Sequence, residues 1–441
     1  MARGKEKPLL KAKLPRAKAK GKAKARPSVA DSESYVHFRT ADWSSLDTEV
    51  KVEKITGHCL VASGHRIWCI GGDREVEGKS PAKISLLMMD LRYRRWEDHT
   101  PPAASYAPSW RWGHSSCMLP TKFPVRPQHK QRKVMLMCGG FDREMNHLDS
   151  WHFCPLKGRF FPPASGLKHV PLPGAYHSLA YCDVTDHVYL FGGQCCVGGP
   201  YHYFDAVFEH DLMDPHWALL PRRGPTPEAR AQHAAVISNR VMIIHGGTNG
   251  IRSFRDLWTL DLDADPPRWS EVKIEGPPLW VGVRPRARFW EVVPHRPFMA
   301  VSSCGGIMVA QRQKPEESQP GKLGLFALNL QKPRWRRVRS NLAPAWAGNF
   351  GAVLGGEGDH TLFVFGGSHC NKAGDLPPPS GAAQLHAGSM WKINISAQPC
   401  EVLLQTLLRV FRTRSGSFPE EVMQNIFTFA MGSLIDMVCR M

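Results

Sequence analysis

Arginine and histidine side chains recur at positions in this 441-residue chain where they could bind an anion. They occur in three segments, each just ahead of a short apolar run, namely Arg111-Trp112-Gly113-His114, Arg230-Ala231-Gln232-His233 and Arg286-Ala287-Arg288-Phe289-Trp290. A guanidinium group binds a carboxylate in bidentate geometry and stacks on aromatic rings. These segments therefore predict a surface for an acidic peptide or a free C-terminal carboxylate. The alternative is that Arg and His at such positions only hold loops in place.

Sequence motifs for catalysis are missing. Gly78-Lys79-Ser80 resembles the end of a phosphate-binding loop, but Asp73 stands where that loop requires glycine. The sequence contains no HExxH motif, no GxSxG elbow and no GxGxxG after a predicted strand. The twenty histidines are spread along the chain without metal-ligand spacing. We therefore predict a protein that is not an enzyme and that uses neither a cofactor nor a metal.

The positive charge is concentrated at the N-terminus. The chain has a net charge of +18, and residues 1–30 carry eleven Lys and Arg against one Glu, which leaves +8 for the rest. Residues 1–34 have almost no aromatic or β-branched side chains, so they cannot bury enough apolar surface to fold. We expect a disordered arm that acts in nuclear import or contacts nucleic-acid phosphates. Nucleic-acid contact is predicted for this arm only. A solubilising tail is the alternative.

The apolar residues and cysteines point to the cell interior. No run approaches the ~20 apolar residues of a membrane helix, and the N-terminus lacks the apolar core of a secretory signal. Twelve cysteines are scattered through the chain, without a CxxC pair, and most lie in apolar runs. Scattered buried cysteines are typical of reduced thiols. We expect a soluble protein of the nucleus, the cytoplasm or both, with no membrane partner.

One sequence unit occurs six times, and its predicted strands would position the arginine-containing segments. A β-branched or aromatic run ends in Gly-Gly at Gly72, Gly140, Gly193, Gly247, Gly306 and Gly367. The spacings are 68, 53, 54, 59 and 61 residues, which is about the length of one four-stranded propeller blade. A second apolar run follows most of these pairs, and a tryptophan opens a third run at Trp96, Trp217, Trp269 and Trp335. Alternation of apolar and polar residues in such short runs predicts half-buried strands.

These features resemble the kelch repeat, an apolar strand followed by Gly-Gly, a spaced aromatic residue and a tryptophan. The resemblance covers about residues 35–400 and implies an all-β, six-bladed β-propeller. The domains predicted are thus a disordered basic tail over 1–34, the propeller over 35–400 and a helical segment over 401–441. Some kelch-like propellers are secreted copper oxidases with a Tyr-Cys pair. The eight tyrosines here match no such motif, so an oxidoreductase is only a third hypothesis.

The sixth unit lacks a strand of its own. It has Gly366-Gly367 and the Trp391 run but no later tryptophan, whereas Asp42-Trp43-Ser44-Ser45-Leu46 has the form of the missing outer strand. We predict that this N-terminal segment completes blade six and holds the two ends of the propeller together. Cys400 to Leu404 is the rival candidate for the strand.

The ligand-binding face follows from the strand order. In a four-stranded antiparallel blade, the loop before the first strand and the loop after the second open on the same side. The Gly-Gly pairs end second strands, and the Arg-containing segments begin first strands, so both sets should share one face. The predicted ligand-face residues are Arg111, His114, Arg143, Arg230, His233, Arg252, Arg286, Arg288 and Trp290.

The period of the apolar residues becomes helical after Leu404. Phe418 to Phe427, followed by Ser433 to Arg440, resembles the first half of an F-box, the motif that docks on Skp1. The same residues also fit a cullin box, preceded by an elongin-binding helix over Thr406 to Phe411. Both resemblances imply attachment to a ubiquitin ligase, and packing beneath the propeller is the alternative. The predicted docking residues are Leu407, Phe411, Phe418, Pro419, Val422 and Ile426.

Two hypotheses of function follow. In the first, the propeller selects a target for a cullin-RING ubiquitin ligase, and the C-terminal helices bind Skp1, or elongin together with a cullin. In the second, the protein is a nuclear or chromatin-associated scaffold that is recruited by its basic arm and has no role in ubiquitination. Residues Arg312 to Lys322 are predicted to be a solvated insertion in blade five.

Overall fold

The computed structural model is an all-β structure that falls into two units, Met1–Tyr35 and Val36–Met441. All of the described residues belong to the second unit. They are 43–46, 55–74, 81–119, 133–161, 174–196, 201–212, 216–221, 224–238, 240–275, 298–301, 307–312, 323–329, 333–338, 350–355, 361–366 and 390–394. The predicted basic tail, the predicted helical segment and most of the predicted insertion lie outside these residues.

The first three blades are antiparallel sheets of four strands each. Blade 1 contains β2 (Cys59–Ser63), β3 (Arg66–Ile70), β4 (Leu86–Asp90) and β5 (Arg95–Asp98). Blade 2 contains β6 (Ser115–Leu119), β7 (Val134–Cys138), β8 (Ser150–Cys154) and β9 (Arg159–Phe161). Blade 3 contains β10 (Ser178–Cys182), β11 (His187–Phe191), β14 (Val207–Asp211) and β15 (Trp217–Leu219), with a two-stranded ribbon of β12 (Gln194–Cys196) and β13 (Tyr201–Tyr203).

The other three blades have the same order, from the first strand to the fourth. Blade 4 contains β16 (Ala234–Ser238), β17 (Val241–His245), β18 (Leu257–Asp261) and β19 (Arg268–Glu271). Blade 5 contains β20 (Phe298–Val301), β21 (Ile307–Arg312), β22 (Leu323–Asn329) and β23 (Arg334–Val338). Blade 6 contains β24 (Gly351–Gly355), β25 (Thr361–Phe365), β26 (Met390–Asn394) and β1 (Trp43–Leu46). The predicted six-bladed propeller is confirmed. In blade 5, however, Gly305-Gly306 stands in the sequence between β20 and β21, so the prediction that every glycine pair ends a second strand is wrong for this blade.

The N-terminal strand closes the ring. Strand β1 pairs antiparallel with β26, from Trp43 opposite Ile393 to Leu46 opposite Met390. Leu46 is buried in a cluster that also contains Met390 of blade 6 and Ile67 of blade 1. The prediction that the N-terminal segment supplies the missing strand of blade six is therefore confirmed. The rival segment, Cys400 to Leu404, lies outside the described residues.

Burial along each blade explains why the second strands were recognisable. Strands such as β7 are buried along their whole length because a neighbouring blade covers each face, so their sequences are continuous apolar runs. Outer strands such as β5 bury one aromatic side chain and expose their neighbours. That side chain packs across a blade interface. The ring centroids of Trp96 and Phe365 of blade 6 are 4.5 Å apart, and those of Trp269 and Phe191 of blade 3 are 5.3 Å apart. Two of the tryptophans that open the third runs thus supply packing between neighbouring sheets.

The described cysteines are free thiols, as the prediction of reduced cysteines requires. Five of the seven are buried, namely Cys69, Cys138, Cys154, Cys182 and Cys195. Burial raises the pKa of the Cys69 and Cys138 thiols well above the ordinary value. Within the described ranges, no group of three or more His, Cys, Asp or Glu side chains could hold a metal ion. Those ranges also contain no helix with the length and hydropathy of a membrane span.

Candidate functional site

One side of the propeller, here called the loop face, carries both sets of segments that the sequence placed together. In blades 1 to 4, the segment before the first strand forms a β-bridge with the residues that follow the Gly-Gly pair. The bridges are Thr56 with Asp73, Trp112 with Phe141, Ala175 with Gln194, and Ala231 with Thr248. The predicted common face is therefore confirmed for these four blades. The opposite side, here called the turn face, carries the turns that join first to second strands and third to fourth strands.

Four equivalent histidines seal the joints between blades on the loop face. They are His58, His114, His177 and His233, each directly before the first strand of its blade and at most 3% exposed. Each ring lies against the first glycine of the preceding blade. A Cβ atom on Gly139 would come within 2.9 Å of His177 Cε1, and one on Gly192 within 2.8 Å of His233 Cε1. The first glycine of these four pairs is thus needed because an imidazole occupies the place of a side chain.

The same contact joins the last blade to the first. A Cβ atom on Gly366 of blade 6 would lie 2.5 Å from His58 Cε1. The His58 ring also packs edge-on against Phe365 at 5.6 Å. Because His114 and His233 occupy these buried joints, neither is presented to a ligand. The structure therefore agrees with the alternative interpretation of both histidines, in which they hold loops in place.

Arg111 is likewise buried, with 1% of its surface exposed. Its guanidinium forms a bidentate ion pair with Asp149, with the second bond measuring 3.1 Å from Nη2 to Oδ2. Nη1 also donates to the Gly139 carbonyl at 3.2 Å. Burial acts to raise the pKa of Asp149, but the hydrogen bonds and charge of Arg111 outweigh it and hold that pKa below the usual value. The Arg111 guanidinium therefore binds the loop directly before β8 and not an external ligand.

Arg230 repeats the arrangement in blade 4. It is fully buried, and its two terminal nitrogens lie 2.6 and 2.8 Å from the Asp256 carboxylate. Nη1 donates to the Gly246 carbonyl at 3.0 Å, and the guanidinium lies 4.0 Å from the centre of the Phe254 ring. The prediction of Arg111 and Arg230 as ligand-binding residues is therefore corrected. Both arginines bind carboxylates, but the carboxylates belong to the same chain.

Arg143 and Arg252 are the predicted arginines that reach the surface. Arg143 is exposed and lies 5.6 Å over the Trp110 ring. The Arg252 side chain is 59% exposed, forms an ion pair with Glu228 and lies 5.2 Å over the Phe254 ring. Arg286, Arg288 and Trp290 lie outside the described residues.

An aromatic cluster that the sequence analysis missed lies between these two arginines on blades 2 to 4. Ring centroids are 4.9 Å apart between Trp110 and Trp112, 4.6 Å between Trp112 and Phe141, and 5.6 Å between Phe141 and Tyr176. Tyr203, on the ribbon of blade 3, packs against the same cluster. A signal was present in the sequence, because Tyr176 directly precedes a motif histidine and Phe141 directly follows a Gly-Gly pair.

Large apolar side chains project from the loops around the cluster. Tyr106 is 73% exposed, Met145 59%, Tyr201 40% and Ile251 90%. They lie in the connection from blade 1 to blade 2 and in the post-glycine loops of blades 2, 3 and 4. Four of the eight large apolar side chains that are exposed among the described residues thus lie on the loop face. Exposed apolar groups that lie beside an aromatic cluster are typical of a surface for another macromolecule.

The central channel differs chemically from the loop face. It has a cavity volume of about 520 Å³ and is lined by residues of the first strands of all six blades. The lining includes Cys59, Cys117, Ala235, Met299 and Val353, and the described residues contribute no Asp, Glu, Lys or Arg to it. A charged ligand group would therefore be bound at the loop face and not in the channel.

Six radial sheets, paired glycines at the ends of second strands and a strand from the opposite terminus that closes the ring define a kelch-type β-propeller. A propeller of this class is typically a non-catalytic scaffold for protein-protein interaction. The chain belongs to the KLHDC2/KLHL20/DRC7 Kelch-repeats domain family, whose sequence model matches residues 57–290.

Individual relatives support the family assignment. The chain is similar to Kelch domain-containing protein 3 of Rattus norvegicus, with 28% identity over 53% of this chain and 56% of the relative. It is also similar to the host cell factor homolog hcf-1 of Caenorhabditis elegans, with 31% identity over 29% of this chain and 18% of that protein. The chain thus spans about half the length of the first of these. Superposition on the solved structure of YjhT gives a TM-score of 0.49 at 11% sequence identity. The match covers 74% of this chain and 93% of the YjhT chain.

Proposed function

We propose that this protein is the substrate-recognition subunit of a cullin-RING ubiquitin ligase and that it binds its target on the loop face of blades 2 to 4. The observation that carries the proposal is the ring of exposed Tyr106, Met145, Tyr201 and Ile251 around an aromatic cluster on a kelch propeller. Buried aromatic anchors inside a rim of exposed side chains are the usual organisation of a protein-binding hot spot. The sequence resemblance of residues 401–441 to an F-box or a cullin box supports the link to a ligase.

The target proposed is an acidic peptide or a C-terminal carboxylate. Arg143 and Arg252 flank the aromatic cluster, and both guanidinium groups lie over aromatic rings. Glu228 already binds Arg252, so an acidic side chain of the target would have to compete with an internal carboxylate of the same chemistry. A moderate electrostatic gain that adds to apolar anchoring is therefore expected, since exposed ion pairs are worth only about 0–1 kcal/mol each.

The ligase contact proposed uses Leu407, Phe411, Phe418, Pro419, Val422 and Ile426, with Skp1, or elongin and a cullin, as partner. Such apolar residues at helical spacing fit into a groove on a partner. The protein is proposed to work in the nucleus, the cytoplasm or both.

Affinity purification of the full chain from cells tests both halves of this proposal separately. Deletion of residues 405–441 should remove Skp1 or elongin together with the cullin and leave the bound target. The double substitution Met145→Asp and Ile251→Asp should remove the target and leave the ligase subunits. Val184→Asp is the matched control, because Val184 is 47% exposed on the turn face of blade 3.

The outcomes are distinct. Absence of every ligase subunit from the full chain under gentle lysis would refute the ligase role. Retention of the target by the double variant, at wild-type yield, would refute the loop face as its binding surface.

The basic arm favours a second candidate, a nuclear or chromatin-associated scaffold without a ubiquitin role. Eleven cations within thirty residues bind polyanions through counterion release. This candidate predicts that histones or nucleic acid co-purify with the chain and are lost when residues 1–30 are deleted, whereas the C-terminal deletion has no effect.

A further inference from the structure

A second surface with its own chemistry lies on the turn face of blades 1 and 2. It consists of the β4–β5 turn, the β8–β9 turn and the residue before β7. We call it the basic rim and define it as Tyr93, Arg94, Arg95, Lys133, Lys157 and Arg159, all of which are exposed. Because the strands of a blade are antiparallel, these residues lie at the ends of the blades opposite to the loop face.

Packing between the two blades brings the two turns together. Gly158 of the β8–β9 turn lies against Trp68 of blade 1, so closely that a Cβ atom would be 2.6 Å from the Trp68 Cη2 atom. Trp68, Phe153 and Phe160 belong to one buried cluster that joins blades 1 and 2. The two turns therefore lie at the same end of two blades that pack directly against each other.

The cations of the basic rim have no counter-charge within it. Residues 90–95 and 154–159 contain a single carboxylate, Asp90, which is 5% exposed. Asp90 accepts hydrogen bonds from Arg92 Nη2 at 3.0 Å and Arg92 Nε at 3.3 Å. These bonds lower the pKa of Asp90 to about 2. Asp90 is thus an ionised group already bound to Arg92, and Arg94, Arg95, Lys157 and Arg159 form no ion pair within the described chain.

The same turns in the next two blades carry the opposite charge. Strand β14 ends at Asp211, the position that Asp90 holds in blade 1. Strand β18 ends at Asp261, and the β18–β19 turn after it contains Asp263 and Asp265. Arg268 occupies the position of Arg95 and Arg159 but follows these three acids. Among the first four blades, the third-to-fourth-strand turns of blades 1 and 2 are therefore the ones that carry a net positive charge.

An aromatic ring stands among the cations. Tyr93 is 73% exposed, and the Arg92 guanidinium lies over its ring at 5.1 Å from the centroid. Arg92 is itself held by Asp90, so one face of the ring is covered and supported while the other is open to solvent. A supported, exposed ring beside guanidinium groups is suited to stacking of a nucleobase, with the neighbouring arginines on phosphates.

We propose that the basic rim of blades 1 and 2 binds single-stranded nucleic acid without sequence preference. Arg94, Arg95, Lys157 and Arg159 contact phosphates, and the open face of Tyr93 stacks on a base. An acidic protein would satisfy the cations but would leave the supported tyrosine ring without a function. This surface is separate from the loop face, so it stands whether or not the ligase role is correct.

Titration of fluorescein-labelled dT20 and U20 by the full chain at several salt concentrations tests the proposal. The basic arm remains in every variant and contributes a constant background. Arg94→Ala with Arg95→Ala should make the slope of log K against log salt shallower by up to about 1.4, the value for two lost phosphate contacts on a single strand. Tyr93→Ala should weaken binding by roughly 5- to 150-fold with little change in slope, and Tyr93→Phe should restore it.

Controls separate this surface from general positive charge. Arg268→Ala is the matched variant, since it removes an arginine at the equivalent position in an acidic turn, and it should leave both affinity and slope unchanged. All of these side chains are exposed, so unchanged thermal unfolding should confirm that each variant folds. An unchanged slope for the double variant, or an equal loss for Arg268→Ala, would overturn the proposal. So would competition by poly-glutamate as strong as that by unlabelled dT20, together with no effect of Tyr93→Ala, because this result would identify an acidic protein as the partner.

Discussion

Blades 1 and 2 are neighbours with the same four strands, yet they fill three equivalent places with different chemistry. Blade 2 has Arg111, Asp149 and His152 where blade 1 has Ile55, Ser85 and Met88. The backbone establishes two of these equivalences. The carbonyl oxygens of Ser85 and Asp149 each accept a hydrogen bond from the N–H group of the first glycine of their own blade, at 2.8 and 3.0 Å. His152 and Met88 each pair with the central residue of the second strand.

The difference shows that the closing of a blade does not require the charged groups. Blade 1 is closed by packing around Ile55 and Trp68, both of which are buried, and its carbonyl and histidine contacts with glycine are the same as in blade 2. Blade 2 depends in addition on an internal ion pair and a buried imidazole. At these three places the stability of blade 2 should therefore depend on counter-charge and pH, whereas that of blade 1 should depend on packing.

The largest difference is expected on removal of one partner of the ion pair. Asp149→Ala leaves the guanidinium of Arg111, which is 1% exposed, without its carboxylate. A buried charge that loses its partner costs about 3–5 kcal/mol, and we expect about 3 because water reaches Asp149. Denaturant unfolding followed by tryptophan fluorescence measures the loss. Ser85→Ala in blade 1 is the matched control and should cost about 1 kcal/mol or less, and equal losses for the two variants would contradict the distinction.

Acid should destabilise the protein through blade 2. Burial, with a smaller effect from the charge of His210, lowers the pKa of His152 from 6.5 to about 4. The unfolded chain therefore binds a proton at higher pH than the folded chain, and stability is lost as the pH falls from about 6.5 through 4. The full contribution is on the order of 3 kcal/mol.

The substitution His152→Met, which introduces the residue of blade 1, isolates this effect. The free energy of unfolding of this variant should vary less than that of the wild type between pH 7 and pH 4. Parallel pH profiles for the two proteins would show that the buried imidazole is not the group that titrates.

A smaller effect is expected at a glycine that both blades share. Gly57 and Gly113 precede the motif histidines with φ of 68°. A Cβ atom on Gly113 would lie 3.1 Å from the Tyr176 ring, so Gly113→Ala should cost about 2 kcal/mol from backbone conformation and crowding together. Gly64 has φ of 59° with open space around it, and Gly64→Ala should therefore cost about 1 kcal/mol. Thermal unfolding measures the stability loss of each variant. Equal losses would show that crowding at Gly113 contributes nothing.

The smallest effect is expected when blade 2 receives both residues of blade 1. In Arg111→Ile with Asp149→Ser, no charge is left buried, so stability should stay within about 1 kcal/mol of the wild type near neutral pH. As the pH falls, the unfolded chain takes up a proton at Asp149 before the folded wild type does, since the pKa of Asp149 is below its usual value in the folded state. The wild type then loses the contribution of the ion pair, and the double variant does not. A double variant as unstable as Asp149→Ala would mean that blade 2 requires the charges for its structure.

Much of the fold could be predicted because it depends on short-range pattern. The six glycine pairs gave the number of blades, and the missing tryptophan of the sixth unit led to the pairing of β1 with β26. The common face of the arginine segments and the glycine loops followed from antiparallel order alone. The residues predicted for ligand binding were less successful, because Arg111 and Arg230 turn inward to Asp149 and Asp256, which lie 38 and 26 residues further along the chain.

The sequence by itself determined that this chain forms strands in groups of four, how many groups there are, and which terminal segment completes the last one. These properties depend on glycine, on apolar alternation and on the direction of the chain, all of which can be read locally. Only the tertiary structure decided which cations are neutralised inside the molecule and which remain on the basic rim or beside the aromatic cluster. The reason is physical: the charge that a surface presents depends on counter-charges that distant segments bring within hydrogen-bond distance, and a linear pattern does not contain that distance.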